Sequence, residues 1–299
     1  MWDTVCYNAG FIMLRPTPLA QQLYLILRNM TSTTRLDDQQ ALNRALKRLK
    51  AQNPTFSMKV LNKHSFVSGR AYFEVGGRLL PKPNNCDPSK TANCPIVVHN
   101  NWIVSKSAKI YRFREHLMWL YDGDNRYYSN ATRSYLTYRN SNDTSVSTES
   151  QIAALKTALA FGHLLRRVVI LPTFICSNGA RRCPLNSLIR IRLLDTSFKD
   201  RFRESSFLRH PKVPDAVKRS QYDGAAALRR ASTVSKASNN TRLTISSRRL
   251  LQLFAKVSSS VLNVGSLVGL QVVFDDKSDG YMLEQKLQKS IRRASYRQY

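Results

Sequence analysis

The chain has 299 residues, a length that predicts about two domains, and 42% hydrophobic residues, enough for packed cores and against general disorder. It carries 47 Lys and Arg against 19 Asp and Glu, a net charge of +28, split as 17 against 8 in residues 1–124 and 30 against 11 in residues 125–299. Such a surface favours polyanions (nucleic acid, acidic glycans, anionic membranes, phosphorylated donors), but no RRM, zinc-finger or homeodomain pattern accompanies it, so no specific nucleic-acid partner is expected.

In chain order, "NAGFIML" (8–14) reads as a polar turn running into a short strand, stopped by Pro16 and Pro18. Residues 18–28 place Leu19, Leu23, Ile26 and Leu27 at helical spacing. A second helix follows, with Asp37 or Asp38 at its cap, a stripe of Leu42, Leu46 and Leu49, and Lys47, Arg48 and Lys50 near its C-terminal end. Strands are expected in "FSMKVLN" (56–62), in "FVSGRAYFE" (66–74) around a Gly turn, and in "PIVVHNN" (95–101). Residues 106–121 predict a helix with Ile110, Phe113, Leu117 and Leu120 on one face. "DGDNR" (122–126) marks a boundary. Beyond it come the strand "YLTYR" (135–139), a polar loop, a strong helix over 149–165 and the buried strand "RRVVILPTFIC" (166–176). That order implies a right-handed parallel crossover, the opening of a Rossmann-like half. "SLIRIRLLD" (187–195) reads as a further strand, 219–245 as a flexible insert, 248–257 and 268–276 as closing elements, and 282–294 as a terminal helix.

The five cysteines form two pairs close in sequence, Cys86 with Cys94 and Cys176 with Cys183, leaving Cys6 over. Neither pair has C-x-x-C spacing, so two short-loop disulfides or free thiols are expected in place of zinc. Sequons at Asn29, Asn130, Asn142 and Asn239 permit a secretory setting without requiring one. No run reaches the roughly 18 apolar residues of a membrane span, and "MWDTVCYNAGFIML" has neither a basic leader region nor a signal core. No membrane anchor is expected within this chain, whose first residues read as the middle of a domain.

One stretch poses the functional question. The apolar run of residues 95–98 ends on His99, Asn100 and Asn101. Strand tips at one edge of an open α/β sheet are where ligands bind, and a neutral imidazole is a common metal ligand. Taken alone, a histidine there is more often an ordinary loop residue.

The ordered set "NAGFIMLRPT", "DDQQALNRAL", "VLNKHSFVSGRAYF" and "IVVHNNWIVSKSAKIYRFREHLMW" resembles the C-terminal half of the nucleotide-diphospho-sugar transferase family, in particular glycosyltransferase family 77. The likeness covers roughly residues 3–121. It implies a GT-A fold, here a truncated, mostly parallel sheet over residues 1–124, binding a nucleotide sugar (a UDP-sugar above all) and a divalent metal, Mn²⁺. By resemblance, His99 is a metal ligand, Asp38 and Gln39 lie beside the donor sugar as the catalytic pair, and Asn8 and Gly10 border the sugar pocket. A departing diphosphate develops negative charge, which nominates Lys106, Lys109 and Arg112 as its partners. The family's D-x-D motif lies upstream of the Asn-Ala-Gly segment, where this sequence begins, and neither "DDQQ" nor "DGDNR" replaces it. Impaired activity is the expectation for the chain as it stands. The family also places Gly near the position of Ser105.

Residues 125–299 are expected to form a second, Rossmann-like α/β domain. Residues 135–174 are similar to the entry unit of protein O-fucosyltransferase-like domains, without the Gly-Gly-x-x-Asn-Gln loop. The reading is a metal-dependent, retaining glycosyltransferase of the Golgi lumen or secretory pathway, acting on a glycan or glycoprotein acceptor. The alternative is a non-catalytic basic module that binds polyanions or glycans.

Overall fold

The computed structural model describes residues 7–75, 94–140, 146–175, 182–237 and 240–291. It divides into two compact units, residues 1–102 and 103–299. The division falls before the boundary expected after residue 124, because the helix over 106–115 is built into the second unit.

The first unit opens with a helical hairpin, α1 (Pro18–Thr33) and α2 (Asp38–Gln52). Thr17 caps α1 by accepting from the Ala20 N–H, and Pro18 takes the first turn, where a missing N–H costs nothing. Asp37 caps α2, accepting from the Gln40 N–H at 2.7 Å. The predicted stripes meet: Leu23, Ala45 and Leu49 are buried, with Leu19, Ile26, Leu27 and Leu46 packed around them. Two short strands follow, β1 (Phe66–Ser68) and β2 (Val97–His99), paired in parallel so that Ser68 stands beside His99. Residues 70–75 wind into a π-helical turn where continued strand was expected. The expected strands over 8–14 and 56–62 do not form. Phe11 to Leu14 are exposed, as are Met58 and Val60, and neither segment has a ladder partner among the described residues. Apolar content proposes a strand, but only pairing makes one.

The second unit is a parallel α/β sandwich. Its elements are α3 (Lys106–Glu115), β3 (Tyr135–Arg139), α4 (Thr148–Leu164), β4 (Val168–Ile170), β5 (Phe174–Ile175), β6 (Arg182–Cys183), α5 (Leu185–Leu188), α6 (Ile191–Ser197), β7 (Phe202–Arg203), α7 (Asp215–Arg219), β8 (Gln221–Asp223), α8 (Ala225–Ala231), β9 (Thr233–Ala237), β10 (Asn240–Ser246), α9 (Ser247–Phe254), β11 (Val261–Ser266), β12 (Leu270–Val273) and α10 (Lys277–Ser290). Five strands, in the order β7-β4-β3-β11-β8, form an all-parallel sheet. The predicted β3-α4-β4 crossover is its centre. Helix α4 is buried nearly all round. At Gly162 a Cβ would stand 2.5 Å from the Val169 side chain and 2.8 Å from the Arg167 carbonyl, so only glycine lets α4 lie this close to β4. Arg167, itself buried, donates to the Tyr135, Ser259 and Val257 carbonyls and ties the bottom of the sheet together. Beside this sheet, β12, β10 and β9 form a smaller one.

Three expectations need correction here. "SLIRIRLLD" is helical, forming α5 and α6: its Ile–Arg alternation mimics a strand, but Ile191 and Leu194 bury one helix face. The described part of 219–245 is not a flexible insert but β8, α8, β9 and most of β10. Strand β8 needs no bulky apolar side chains because it joins the sheet through its backbone, pairing Gln221, Tyr222 and Asp223 with Val261, Leu262 and Asn263. On α3 the buried residues are Ala108, Tyr111 and Arg112. Leu117 and Leu120 lie past the helix end and are exposed.

No described helix is long and apolar enough to cross a membrane. Cys94 and Cys183 each take part in a disulfide bond; the cysteines expected to pair with them, Cys86 and Cys176, lie outside the described residues.

An ionic cluster is buried in the second unit. Tyr127 donates to Glu204 Oε2 at 2.7 Å, and Glu204 and Arg203 are fully buried. Burial, reinforced by the charge of Glu204 and opposed by Arg112, pushes the Glu115 carboxyl up to about 8 from its ordinary 4.5. The unfolded chain ionises this group above about 4.5 while the folded chain holds the proton, so Glu115 weakens the fold increasingly as pH rises toward 8. His210, stacked on Tyr128 with ring centroids 3.6 Å apart, is pushed down by burial and acts in the acid range instead. Melting temperature is therefore expected to fall between pH 7 and pH 8.5, and Glu115→Gln to flatten that fall. An unchanged slope in the variant would place the titration elsewhere.

Candidate functional site

The site in the first unit is built from three pieces of chain. The first is the turn at Asn8. The Asn8 side chain accepts from the Gly10 N–H at 2.8 Å, an Asx turn that folds the segment back on itself. The second is the start of α2. Because Asp37 takes the capping role, Asp38 occupies the first turn, exposed, with its carboxylate accepting from the Gln39 N–H at 2.8 Å. One turn on, Asn43 grips both backbone groups of Tyr7: its Oδ1 accepts from the Tyr7 N–H at 2.7 Å and its Nδ2 donates to the Tyr7 carbonyl at 2.7 Å. The same Nδ2 donates to the Gln39 carbonyl at 2.8 Å. One side-chain amide bonded to both the N–H and the C=O of a residue holds that residue as a strand partner would, so the Asn8 turn is fastened to α2.

The third piece is the paired tips of β1 and β2. Parallel pairing sets the carboxyl ends of both strands side by side, with Ser68 level with His99. Asn101 Oδ1 accepts from the Gly69 N–H at 2.7 Å and locks the two ends together just past the ladder. Ser68 Oγ accepts from the Ala71 N–H at 3.3 Å and starts the π-helical turn. Arg70 lies with its guanidinium carbon 5.6 Å from the Trp102 ring centroid, within cation–π range. Trp102 is half-exposed at φ +57°, a left-handed conformation that bulky residues rarely hold.

The turn and the strand tips meet at Gly10 and His99. A Cβ built on Gly10 would reach His99 Nδ1 at 2.5 Å and overlap Cε1 and Nε2 more closely still. Glycine is needed here for room, not for backbone freedom. The Asn8 turn, the α2 start and the His99 imidazole are thus linked by contact: α2 holds Tyr7, and the turn that follows Tyr7 lies on the imidazole. Asn8, Gly10 and Asp38 are exposed, while Gln39 and His99 are partly covered, so polar atoms of the assembly are open to a ligand.

Lys106 and Lys109 are exposed residues of α3, in the second unit. No group of three or more His, Cys, Asp or Glu side chains among the described residues could hold a metal ion. His99 supplies one donor of the kind a metal takes. At Ser105 the resemblance places a glycine, and the backbone there has φ +85°, the region that favours glycine. The serine keeps that conformation and caps α3 by accepting from the Ala108 N–H at 3.3 Å.

Sequence reading missed the roles of Asn101 and Arg70, which no local motif announces, because their partners lie 32 residues away in each case. Asn43 lies in "DDQQALNRAL", where local sequence marks it as no more than a polar position one turn after Gln39.

Residues 2–113 match the model of the nucleotide-diphospho-sugar transferase family, less than half of the chain. That match supports a glycosyltransferase in general and implies a nucleotide-sugar donor. No curated protein and no solved structure matches the chain.

Asn43→Ala removes every hydrogen bond between this side chain and Tyr7, at an expected cost of about 1–3 kcal/mol. Amide hydrogen exchange at Gly10 is expected to accelerate by tenfold or more while α1 stays protected. Equal protection in the variant would mean that the turn is held by something else.

Proposed function

We propose that the first unit carries the sugar side of a nucleotide-sugar donor site in a glycosyltransferase of family 77. The observation that carries this reading is the contact between Gly10 and His99, which joins two sequence pieces 89 residues apart that the resemblance assigns to one donor pocket. The carboxyl ends of parallel strands supply a ligand edge, and the α2 start brings an amide and a carboxylate on one helical turn. In this reading Asn8 and Gly10 border the sugar, and Asp38 and Gln39 face its reacting side, with Asp38 able to stabilise positive charge at the anomeric carbon and Gln39 able to hold a hydroxyl. The imidazole of His99 faces the diphosphate. A divalent metal would shield that diphosphate when bound, and His99 alone among the described residues is put forward as its protein ligand. The donor proposed is a UDP-sugar, the acceptor a glycan or glycoprotein, the outcome retention of configuration, and the setting the secretory pathway.

Thermal stability with UDP, with and without Mn²⁺, tests the reading. UDP with Mn²⁺ is expected to raise the melting temperature by several degrees, and His99→Ala to abolish the metal-dependent part. A rise that is the same in wild type and variant would remove His99 from the site.

The net charge of +28 supports a second reading, a polyanion-binding module without catalysis. It expects binding to heparin that weakens steeply with salt and is indifferent to Mn²⁺ and to His99→Ala.

A further inference from the structure

The second unit contains a cavity of about 120 Å³ whose walls include Tyr111, Arg114, Tyr127, Asp195, Asp200 and Arg203. It lies where α3 and α6 flank the edge strand β7 of the five-stranded sheet. Its two arginines are held rigidly. The guanidinium carbons of Arg114 and Arg203 sit 3.4 Å and 4.0 Å from the centroid of the Tyr127 ring, and the Tyr127 hydroxyl is itself anchored on Glu204. Arg203 is fully buried and spends Nη1 on the Phe202 carbonyl at 2.8 Å.

The remaining donors are left over. Arg203 Nε and Nη2, Arg114 Nε and the Tyr111 hydroxyl are buried and have no hydrogen-bond partner among the described residues. The Asp200 carboxylate is 3.9 Å from Arg203 Nη2, close enough to share charge and too far for a hydrogen bond. Buried donors without partners are rare and costly, and a group of them around one cavity marks a place where an acceptor belongs. A guanidinium presents Nε and Nη as a planar fork that fits two oxygens of a carboxylate or phosphate. Buried hydroxyls at 111 and 127 stay protonated, since burial pushes both phenols well above their ordinary range. They act as donors or neutral acceptors and add no charge.

We propose that this cavity is a binding site for a small oxyanion, a carboxylate or a phosphate monoester, held by Arg114 and Arg203 with the Tyr111 hydroxyl as a further donor. Asp195 and Asp200 limit the site to a compact anion of low charge, because each carboxylate repels a second negative group. Asp195 is partly desolvated, which raises its affinity for a proton and softens that repulsion. The site lies wholly within the second unit and does not rest on the donor-site reading.

Isothermal titration of the full chain with inorganic phosphate and with glucuronate, using glucose as the uncharged control, tests the proposal. At least one anion is expected to bind saturably, with glucose inert. A preference for phosphate identifies a phosphate monoester as the ligand class, and a preference for glucuronate a carboxylate. Arg114→Lys, which keeps the charge and loses the fork, is expected to weaken binding at least tenfold. Asp195→Asn is expected to tighten it about threefold, and His99→Ala to leave it unchanged. Absence of binding by both anions, or affinities unmoved in both Arg114→Lys and Asp195→Asn, would overturn the proposal. If Arg114→Lys does not fold, Asp195→Asn decides alone, and an unchanged affinity there overturns it.

Discussion

The candidate donor site depends on one close approach, the backbone of Gly10 against the imidazole of His99. Every other feature of that site either permits the approach or holds it. Glycine permits it, because any side chain at position 10 would enter the ring. Asn43 holds it from one side by gripping Tyr7, and Asn101 holds it from the other by joining the ends of β1 and β2. Parallel pairing then gives the contact its chemical setting, since both strands deliver polar residues to the same edge. The amides at 8, 43 and 101 thus share a task. Each replaces a missing stretch of regular secondary structure with a side-chain bond to the backbone.

The second unit solves a different physical problem. Its sheet is fully parallel, so both faces are covered and polar groups inside must find partners. Most do: Arg167 satisfies three carbonyls, and Gln151 pairs with both backbone groups of Ile175. Single unpaired atoms occur elsewhere among the described residues, at Tyr138, Asn140 and His210, but around β7 arginines, carboxyls and phenols are buried together and several unpaired atoms lie side by side. It is the grouping of donors around one cavity that makes this surplus informative. The cluster also carries two carboxyls, Glu115 and Glu204, whose affinity for a proton is raised by the desolvated region they share.

Much of the architecture was legible in the sequence where the signal is periodic and local. The Leu stripes of α1 and α2, the Ala-rich α4 and the crossover from β3 to β4 needed only spacing and apolar content. Failures came where that content was ambiguous. "SLIRIRLLD" alternates like a strand, and only packing of Ile191 and Leu194 on one face decides for a helix. The stretch over 219–245 is poor in bulky apolar residues, yet β8 is held by backbone pairing that such a count cannot see. In the site, the resemblance marked Asn8, Gly10, Asp38 and His99. Physical chemistry of the residues alone would have left each as a turn, a cap or a loop residue. The anion cavity was not legible at all. Arg114, Asp195 and Arg203 are spread over 90 residues, and nothing in their local sequence separates them from the other basic and acidic residues of a strongly charged chain.

The contact between position 10 and position 99 is open to a double-mutant cycle on stability. Gly10→Ala alone should destabilise the first unit, since the new methyl must displace the imidazole or the turn. In the His99→Ala background the ring that the methyl would strike is gone, so the double variant should recover most of that loss, with a coupling of at least about 1 kcal/mol by denaturant unfolding. Strictly additive effects would mean that the two residues do not touch, and the donor site built on their contact would fall with it.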